Sequence, residues 1–486
     1  MENRDHPWTA AIFVDGSFRP PAAGATLDVR DKSTDEVFAL AGSAEPADVE
    51  AAVTSAATAQ RGWAAAGYAE RAAVLRKVAR ALEDSVDLRE LIMRETGCIG
   101  GKADYEISAA VSELLEAAAL ASRPLGEVLQ TSHPGRFSVS ERLPVGLVAA
   151  ITPWNFPLVL GMRVIAPALA LGNAVLLKPS PETPASGGLA IAELFEQAGA
   201  PAGILQVLPG GEEVGRRLVE HPDVAMVHFT GSTKVGREIA RTAGSLLKKT
   251  SLELGGNNAL VVLDDADIEQ AAMIGAWSSF HYQGQTCISA GRHIVDREVA
   301  DAYLSNLTAR AAAITVGNPV RDQTGLGPII NDVQLARANR LLQDAVDKGA
   351  RVLTGGTSEG RFFRPTVVVD VDPTSELWTE EIFAPIAPVA VVDGIEQAVA
   401  LANDTSYGLV CSVVGTDVHR ATEVARRLTS AMVHVNDATP QDEATAPFGG
   451  IGSSGLGGRA GGDANLEEYT ERRWRTVAGG PAHYPY

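Results

Sequence analysis

The sequence predicts an α/β protein built from a doubly wound unit followed by a second α/β unit. Three observations predict it. Strand, helix and strand patterns alternate from Gly146 to Ala240, the alternation restarts at Asn258 after the pair Gly255–Gly256, and glycine-bearing turns such as FTGSTKVG stand between strand and helix patterns. A strand that returns to a second strand through a helix implies parallel pairing, with helices covering the sheet faces.

Taken in order, Pro46 to about Asp87 is Ala-rich with apolar residues at helical spacing (Ala52, Val53, Ala56, Ala57; then Ala73, Val74, Val78, Leu82), which predicts two surface helices joined at Gly67. A further helix is predicted over Ala103–Leu120, with nothing catalytic on it. Pro134–Ala150 alternates Phe137 and Val139 with Arg136, Ser138 and Ser140 and reads as a strand, a candidate edge or oligomer element or else part of an ordinary surface hairpin. Then follow a strand at 146–151, the turn TPWNFP, a helix over Leu158–Leu171, the strand AVLLKPS, a helix at Gly187–Gln197, strands at Leu205–Leu208 and Met226–Phe229, and helices after Gly211 and within GSTKVGREIA. Ligands of such sheets sit beyond the carboxyl ends of the strands, where Lys178 and Gly231 fall. NALVVL opens the second unit, with strands near Ala290–Val295 and Val367–Val369 and helices at Val333–Lys348 and Ile395–Asn403. The tail after Phe448 reads as a glycine-rich linker and one last strand.

The chain has 486 residues, about three domains' worth. Hydrophobic residues at 45% and charged residues at 21% exclude wholesale disorder. A formal charge of −19 opposes binding to nucleic acid or an anionic membrane. Cys98, Cys287 and Cys411 are too widely spaced for a disulfide framework, and the nine histidines include no close pair at ligand spacing, so no metal is expected. The opening MENRDHPWTAAIF has no signal-peptide apolar region. The longest apolar stretch, Leu143–Leu177, is broken by Pro153, Asn155, Pro157, Arg163, Pro167 and Asn173 and reads as core. A cytoplasmic location is expected.

Chemistry concentrates in three places. QGQTCIS sets Cys287 among small polar residues, which predicts an exposed loop presenting a nucleophile, although free cysteines are usually small buried hydrophobes. Cys98 and Cys411 fit that buried role better. SLELGGNN holds Glu253 in an apolar, glycine-rich run where burial raises a carboxyl toward useful base strength; the plainer reading is a surface strand residue. ITPWNFP supplies the amide of Asn155, otherwise only a turn residue. Nucleophile, base and neutral donor are what acyl chemistry needs. His281 and His293 flank the cysteine, so a Cys-His hydrolase is a rival reading.

The combination PWNFP, Lys-Pro-Ser, FTGSTKVG, ELGG, GQTC, EEIFAP and PFGG, in this order across most of the chain, resembles the aldehyde dehydrogenase superfamily. The resemblance implies a Rossmann-like cofactor domain (1–125 and 145–254), a second α/β catalytic domain (255–453) and a small β oligomerisation element (126–144 and 454–486), assembling as a homodimer or homotetramer. It implies Cys287 as nucleophile, Glu253 as general base, and Asn155 with the Cys287 N–H as oxyanion hole. It implies NAD or NADP as cofactor, held by Thr152, Pro153, Trp154, Lys178, Ser180, Gly211, Gly231, Ser232, Leu254, Gly255, Glu381 and Phe383.

Many NAD-preferring relatives carry Glu three residues after the strand-end lysine; Pro181 stands there, with Glu182 one step on, so NAD against NADP stays open. Ala384 replaces the usual glycine of EEIFGP, and Ala460 replaces a late Glu. HPGRFSVSERLPVG, GMRVIAPALALGNAVLLKPSPETP and GGRAGGDANLEEYTERRW are similar to the benzaldehyde and vanillin dehydrogenase branch, which implies an aromatic aldehyde, with Phe156, Val159, Arg163, His281 and Ile288 as pocket candidates. Rivals are an aliphatic or semialdehyde dehydrogenase, a coenzyme A-acylating enzyme of the same fold, disfavoured by Glu253, and, from another class, a cysteine-dependent esterase.

Overall fold

The structure, a computed structural model, describes residues 6–481 and residue 484. An eight-stranded sheet runs in the spatial order Ser17–Arg19, Ile12–Val14, Leu205–Val207, Ala174–Lys178, Leu147–Ile151, Val224–Thr230, Lys249–Glu253, Gly455–Leu456. Its middle five strands are parallel, as the strand-helix-strand alternation requires. Alternate residues serve opposite faces. Val148 and Ala150 join one apolar cluster with the helices Tyr68–Glu83, Gly100–Leu120 and Pro157–Ala170, whereas Leu147, Ala149 and Ile151 join another with Pro46–Ala65 and Glu212–Glu220.

The chain builds this sheet outward from Leu147–Ile151, first to Ala174–Lys178 and Leu205–Val207, then on the other side to Val224–Thr230 and Lys249–Glu253. The direction therefore reverses between Leu147–Ile151 and Val224–Thr230, and a crevice opens beyond their carboxyl ends.

A seven-stranded sheet follows, in the order Arg351–Thr354, Thr366–Val369, Ile386–Val392, Ala290–Asp296, Asn258–Val262, Val410–Val414, Met432–Val435, all parallel except the first pair. Its strand Asn258–Val262 begins five residues after Glu253, the last residue of the strand Lys249–Glu253 in the first sheet.

Arg136–Pro144 is not an edge strand but the centre of a three-stranded antiparallel sheet; it forms a hairpin with Gly126–Leu129 and pairs on its other side with Thr470–Ala478. Its alternation reflects the two faces of that sheet, not the number of strands beside it. Gly455 and Leu456, which the division at residue 454 assigns to the oligomerisation element, pair with Leu252 and Glu253 on the first sheet. Residues 482, 483, 485 and 486 of that element lie outside the described residues. The sequence reading passed over the hairpin Ile12–Val14 with Ser17–Arg19, although Asp15–Gly16, both with positive φ, is a two-residue turn of the kind hairpins favour.

Candidate active site

The loop ahead of Cys287 is buried rather than exposed. Gln283, Gly284, Gln285 and Thr286 are all covered, and only Cys287 and Ser289 are half-open. The reason is hydrogen bonding by two glutamines. Gln283 Nε2 donates to the carbonyls of Gly97 and Pro328 at 3.2 and 2.8 Å, and Gln285 Oε1 accepts from the Ile330 N–H at 2.9 Å. Tyr282, Gln283 and Gly284 adopt φ of 49°, 56° and 66° in succession. At Gly284 a Cβ would come within 2.3 Å of the Ala384 carbonyl oxygen, so only glycine fits. Asn258, opening its strand, donates to the carbonyls of Cys287 and Ser289 at 2.8 and 2.7 Å and fixes the far side of the loop.

Glu253 ends the strand Lys249–Glu253 and is buried, which corrects the surface-strand alternative; its Oε2 has no hydrogen-bond partner among the described residues. Burial, opposed by Arg163 and Arg459, pushes its carboxyl up to about 8. Cys287 is pushed up to about 12 by burial and then by the Glu381 and Glu253 carboxylates. Glu381 is raised to about 7 by burial, against the Gly256 N–H that donates to it at 3.2 Å. Asn155 Nδ2 donates to the Gln285 carbonyl at 3.0 Å.

Cys287, Glu253 and Asn155 line one cleft of about 190 Å³ at the crevice between Ile151 and Thr230. With them stand Pro153, Trp154, Gly231, Ser232, Leu254, Gly255, Glu381 and Phe383, eight of the twelve expected cofactor contacts. The Trp154 and Phe383 rings meet edge to face at 5.4 Å. The other four lie outside this cleft, along the carboxyl ends of neighbouring strands. The Thr152 N–H donates to the Lys178 carbonyl at 3.2 Å, Ser180 Oγ accepts from the Glu182 N–H, and Gly211 opens the helix Glu212–Glu220.

These residues fit a dinucleotide. Lys178 is buried, has no ion-pair partner among the described residues, and is lowered by that burial to about 8. Ser232 caps the thirteen-residue helix Thr233–Ser245, whose N-terminus suits a phosphate. A Cβ on Gly255 would lie 2.4 Å from Glu381 Oε2, so the glycine makes room for the Glu381 carboxyl against that wall. Glu182 does not stand in for the carboxylate missing at Pro181. It is tied to Lys32 at 2.6 Å and Asn331 at 2.9 Å.

The expected substrate residues divide. Ile288 packs beside Cys287 in an apolar cluster with Leu409, Val410, Phe448 and Met432. Phe156 is set edge-on to Tyr282 at 5.4 Å. Val159 is core and contributes only its N–H, to Glu106. Arg163 is no free cation: it is buried between Glu113, at 3.0 Å, and Asp442, 4.7 Å over the Phe448 ring, and it lines a second cleft with Tyr105. His281 stacks on Trp277 at 4.3 Å and is lowered by burial to about 4, while His293 is bonded to Ser279 and Tyr303. Neither histidine is hydrogen-bonded to Cys287, which removes the geometric support for a Cys-His hydrolase.

Sequence reasoning missed Gln334 and Arg337, which line the cleft from the helix Asp332–Asp347, and the buried pair Lys102–Glu106 behind Asn155. The spacing of four residues was a readable signal for that pair. No periodicity marks Arg337.

The sequence matches the aldehyde dehydrogenase family over residues 18–475. It is 45% identical to benzaldehyde dehydrogenase [NAD(+)] of Pseudomonas putida over 487 residues, covering 100% of both chains. It is 46% identical to vanillin dehydrogenase of an Amycolatopsis species over 484 residues, covering 99% of each. A crystal structure of a salicylaldehyde dehydrogenase from Pseudomonas putida G7, complexed with salicylaldehyde, superposes with a TM-score of 0.94 at 34% identity, covering 98% of this chain and 99% of that one. A match along nearly the whole length, on a fold whose crevice gathers the expected thiol, carboxylate and amide, leaves one conclusion: this chain belongs to the aldehyde dehydrogenase family.

Proposed function

We propose that the protein oxidises an aromatic aldehyde of the benzaldehyde or vanillin kind to its carboxylic acid with NAD or NADP, Cys287 acting as nucleophile, Glu253 as base and Asn155 as oxyanion donor. The observation that carries this reading is that all three line the same 190 Å³ cleft. NAD or NADP bound in the crevice supplies the acceptor for the hydride that leaves the carbonyl carbon.

The rest is the work of the chain. Cys287 Sγ gives up its proton to solvent water and bonds to the aldehyde carbon. The resulting oxyanion is held by the Asn155 amide and the Cys287 N–H, which has no protein acceptor among the described residues. Once hydride has gone, the carbon is a thioester of Cys287. Glu253 takes a proton from water, the hydroxide attacks the thioester, and acid and thiol are released. A carboxyl near 8 is well matched to this task at neutral pH. The apolar cluster of Ile288, Leu409, Val410 and Phe448 beside the thiol supports an aromatic rather than a charged substrate.

The test is reduction of NAD and of NADP with benzaldehyde and with a short aliphatic aldehyde. A higher kcat/KM for benzaldehyde is expected; equal or reversed values would overturn the aromatic assignment.

Self-association as a homodimer or homotetramer belongs to the same reading. It is supported by the exposed apolar residues Val128, Phe137, Trp474 and Val477 on the three-stranded sheet, at 71%, 49%, 73% and 47% exposure. Light scattering that gives the mass of one chain would contradict it. The division into cofactor, catalytic and oligomerisation parts is supported by the three sheets, apart from Gly455–Leu456, which pair on the first of them. A cytoplasmic location is supported by the three free cysteines.

A further inference from the structure

Lys102 and Glu106 lie one turn apart on the helix Gly100–Leu120, both fully buried. Nothing in the chemistry above uses them. The Lys102 ammonium donates to Glu106 Oε2 at 2.5 Å and to the backbone carbonyl of Asn155 at 2.7 Å. It also sits 4.3 Å from the Phe156 ring centroid and 4.4 Å from that of Tyr282. Glu106 Oε1 accepts from the N–H groups of Leu158 at 2.8 Å and Val159 at 3.3 Å. Those donors belong to the first turn of the helix Pro157–Ala170, where no intrahelical acceptor exists.

One ion pair thus grips the turn carrying Asn155 on both sides of that residue, at its own carbonyl and at the helix start that follows. It also touches the ring of Tyr282, at the head of the loop that ends in Cys287. Stability alone does not account for such a pair, because a well-packed apolar substitute is often as stable as two desolvated charges. What the pair provides is direction: an ammonium aimed at one carbonyl fixes the plane of that peptide.

We propose that Lys102 and Glu106 are positioning residues for the oxyanion donor, holding the Asn155 backbone so that its side-chain amide reaches the reacting oxygen. The proposal rests on the reading of Asn155 as that donor. It concerns geometry only, and no proton moves through the pair. Misplacement by about 1 Å of a group that meets the transition state lowers rate on the order of 10²-fold.

The test measures kcat, KM for benzaldehyde and the NAD dissociation constant for wild type, Lys102→Met, Asn155→Ala and the combined variant. Because Lys102→Met leaves Glu106 buried without its partner, Lys102→Met/Glu106→Gln, with no buried charge, carries the same comparison should the single variant not fold. The expected result is a kcat lowered on the order of 10- to 100-fold by Lys102→Met, an unchanged NAD dissociation constant, and no further loss when Asn155→Ala is added. A merely structural role predicts losses that multiply. Multiplying losses, or a wild-type kcat in the Lys102 variants while Asn155→Ala is slow, would overturn the proposal and leave the role of Asn155 standing. A wild-type kcat in Asn155→Ala itself would overturn both.

Discussion

The side-chain amide of Asn155 donates to the main-chain carbonyl of Gln285 at 3.0 Å, two residues ahead of Cys287. An amide nitrogen has two hydrogens. One is used to lock the side chain to the cysteine loop, which leaves the other without a protein acceptor among the described residues, on a side chain that lines the same cleft as Cys287.

Asn155→Ala is therefore expected to lower kcat by about 10²-fold or more, the usual loss for one oxyanion-hole donor. The dissociation constant of the nicotinamide cofactor, read by fluorescence titration, should stay at its wild-type value. An unchanged kcat would remove Asn155 from the mechanism.

The state of Glu253 sets a pH dependence. Its carboxyl is raised to about 8 chiefly by burial, so the carboxylate that serves as base is the minor form at pH 7 and grows with pH. The rate of thioester hydrolysis should rise about tenfold per pH unit below 8 and level off above it. Glu253→Gln should flatten the profile at a low rate. A wild-type profile with an ascending limb near the ordinary carboxyl range, below 5, would contradict the burial argument.

Gly284→Ala tests the loop. The φ of 66° and the 2.3 Å approach of a Cβ to the Ala384 carbonyl leave no room for a side chain. Strain of this kind costs about 1–3 kcal/mol, and the loop would relieve it by moving Cys287. Turnover should fall by more than the loss in thermal stability explains. A variant as active as wild type would show that the loop tolerates the shift.

Cofactor choice follows from Lys178 and its surroundings. Glu182 is held by Lys32 and Asn331, and Pro181 offers no acceptor, so neither position sets a carboxylate against a 2′-phosphate near the Lys178 ammonium. Reduction of both NAD and NADP is expected, and Pro181→Glu should lower kcat/KM for NADP more than for NAD. Strict use of NAD by the wild type would contradict this.

Much of this site was legible before any coordinates. Cys287, Glu253 and Asn155 each sit in a short segment of unusual composition, and the strand-helix alternation places Lys178 and Gly231 at carboxyl ends. What the sequence could not carry was contact across the chain. Burial of the QGQT segment depends on the carbonyls of Gly97 and Pro328 and the N–H of Ile330, none of which is local. Arg163 reads as a lone cation in an apolar helix until Glu113 and Asp442 close on it from two other segments. Val159 failed as a pocket residue because its helical phase points it at the core. For Arg136–Pro144 the edge reading gives way to a hairpin with a third strand, because alternation reports two environments, not the number of neighbouring strands.

The most direct test is a single-turnover experiment on Glu253→Gln with benzaldehyde and NAD. If Cys287 forms the thioester and Glu253 activates the water that clears it, the variant should give a burst of about one reduced nicotinamide per chain, then stall. Mass spectrometry of the stalled enzyme should find one benzoyl group on the peptide containing Cys287. No burst and no adduct, or an adduct on a residue other than Cys287, would contradict the account.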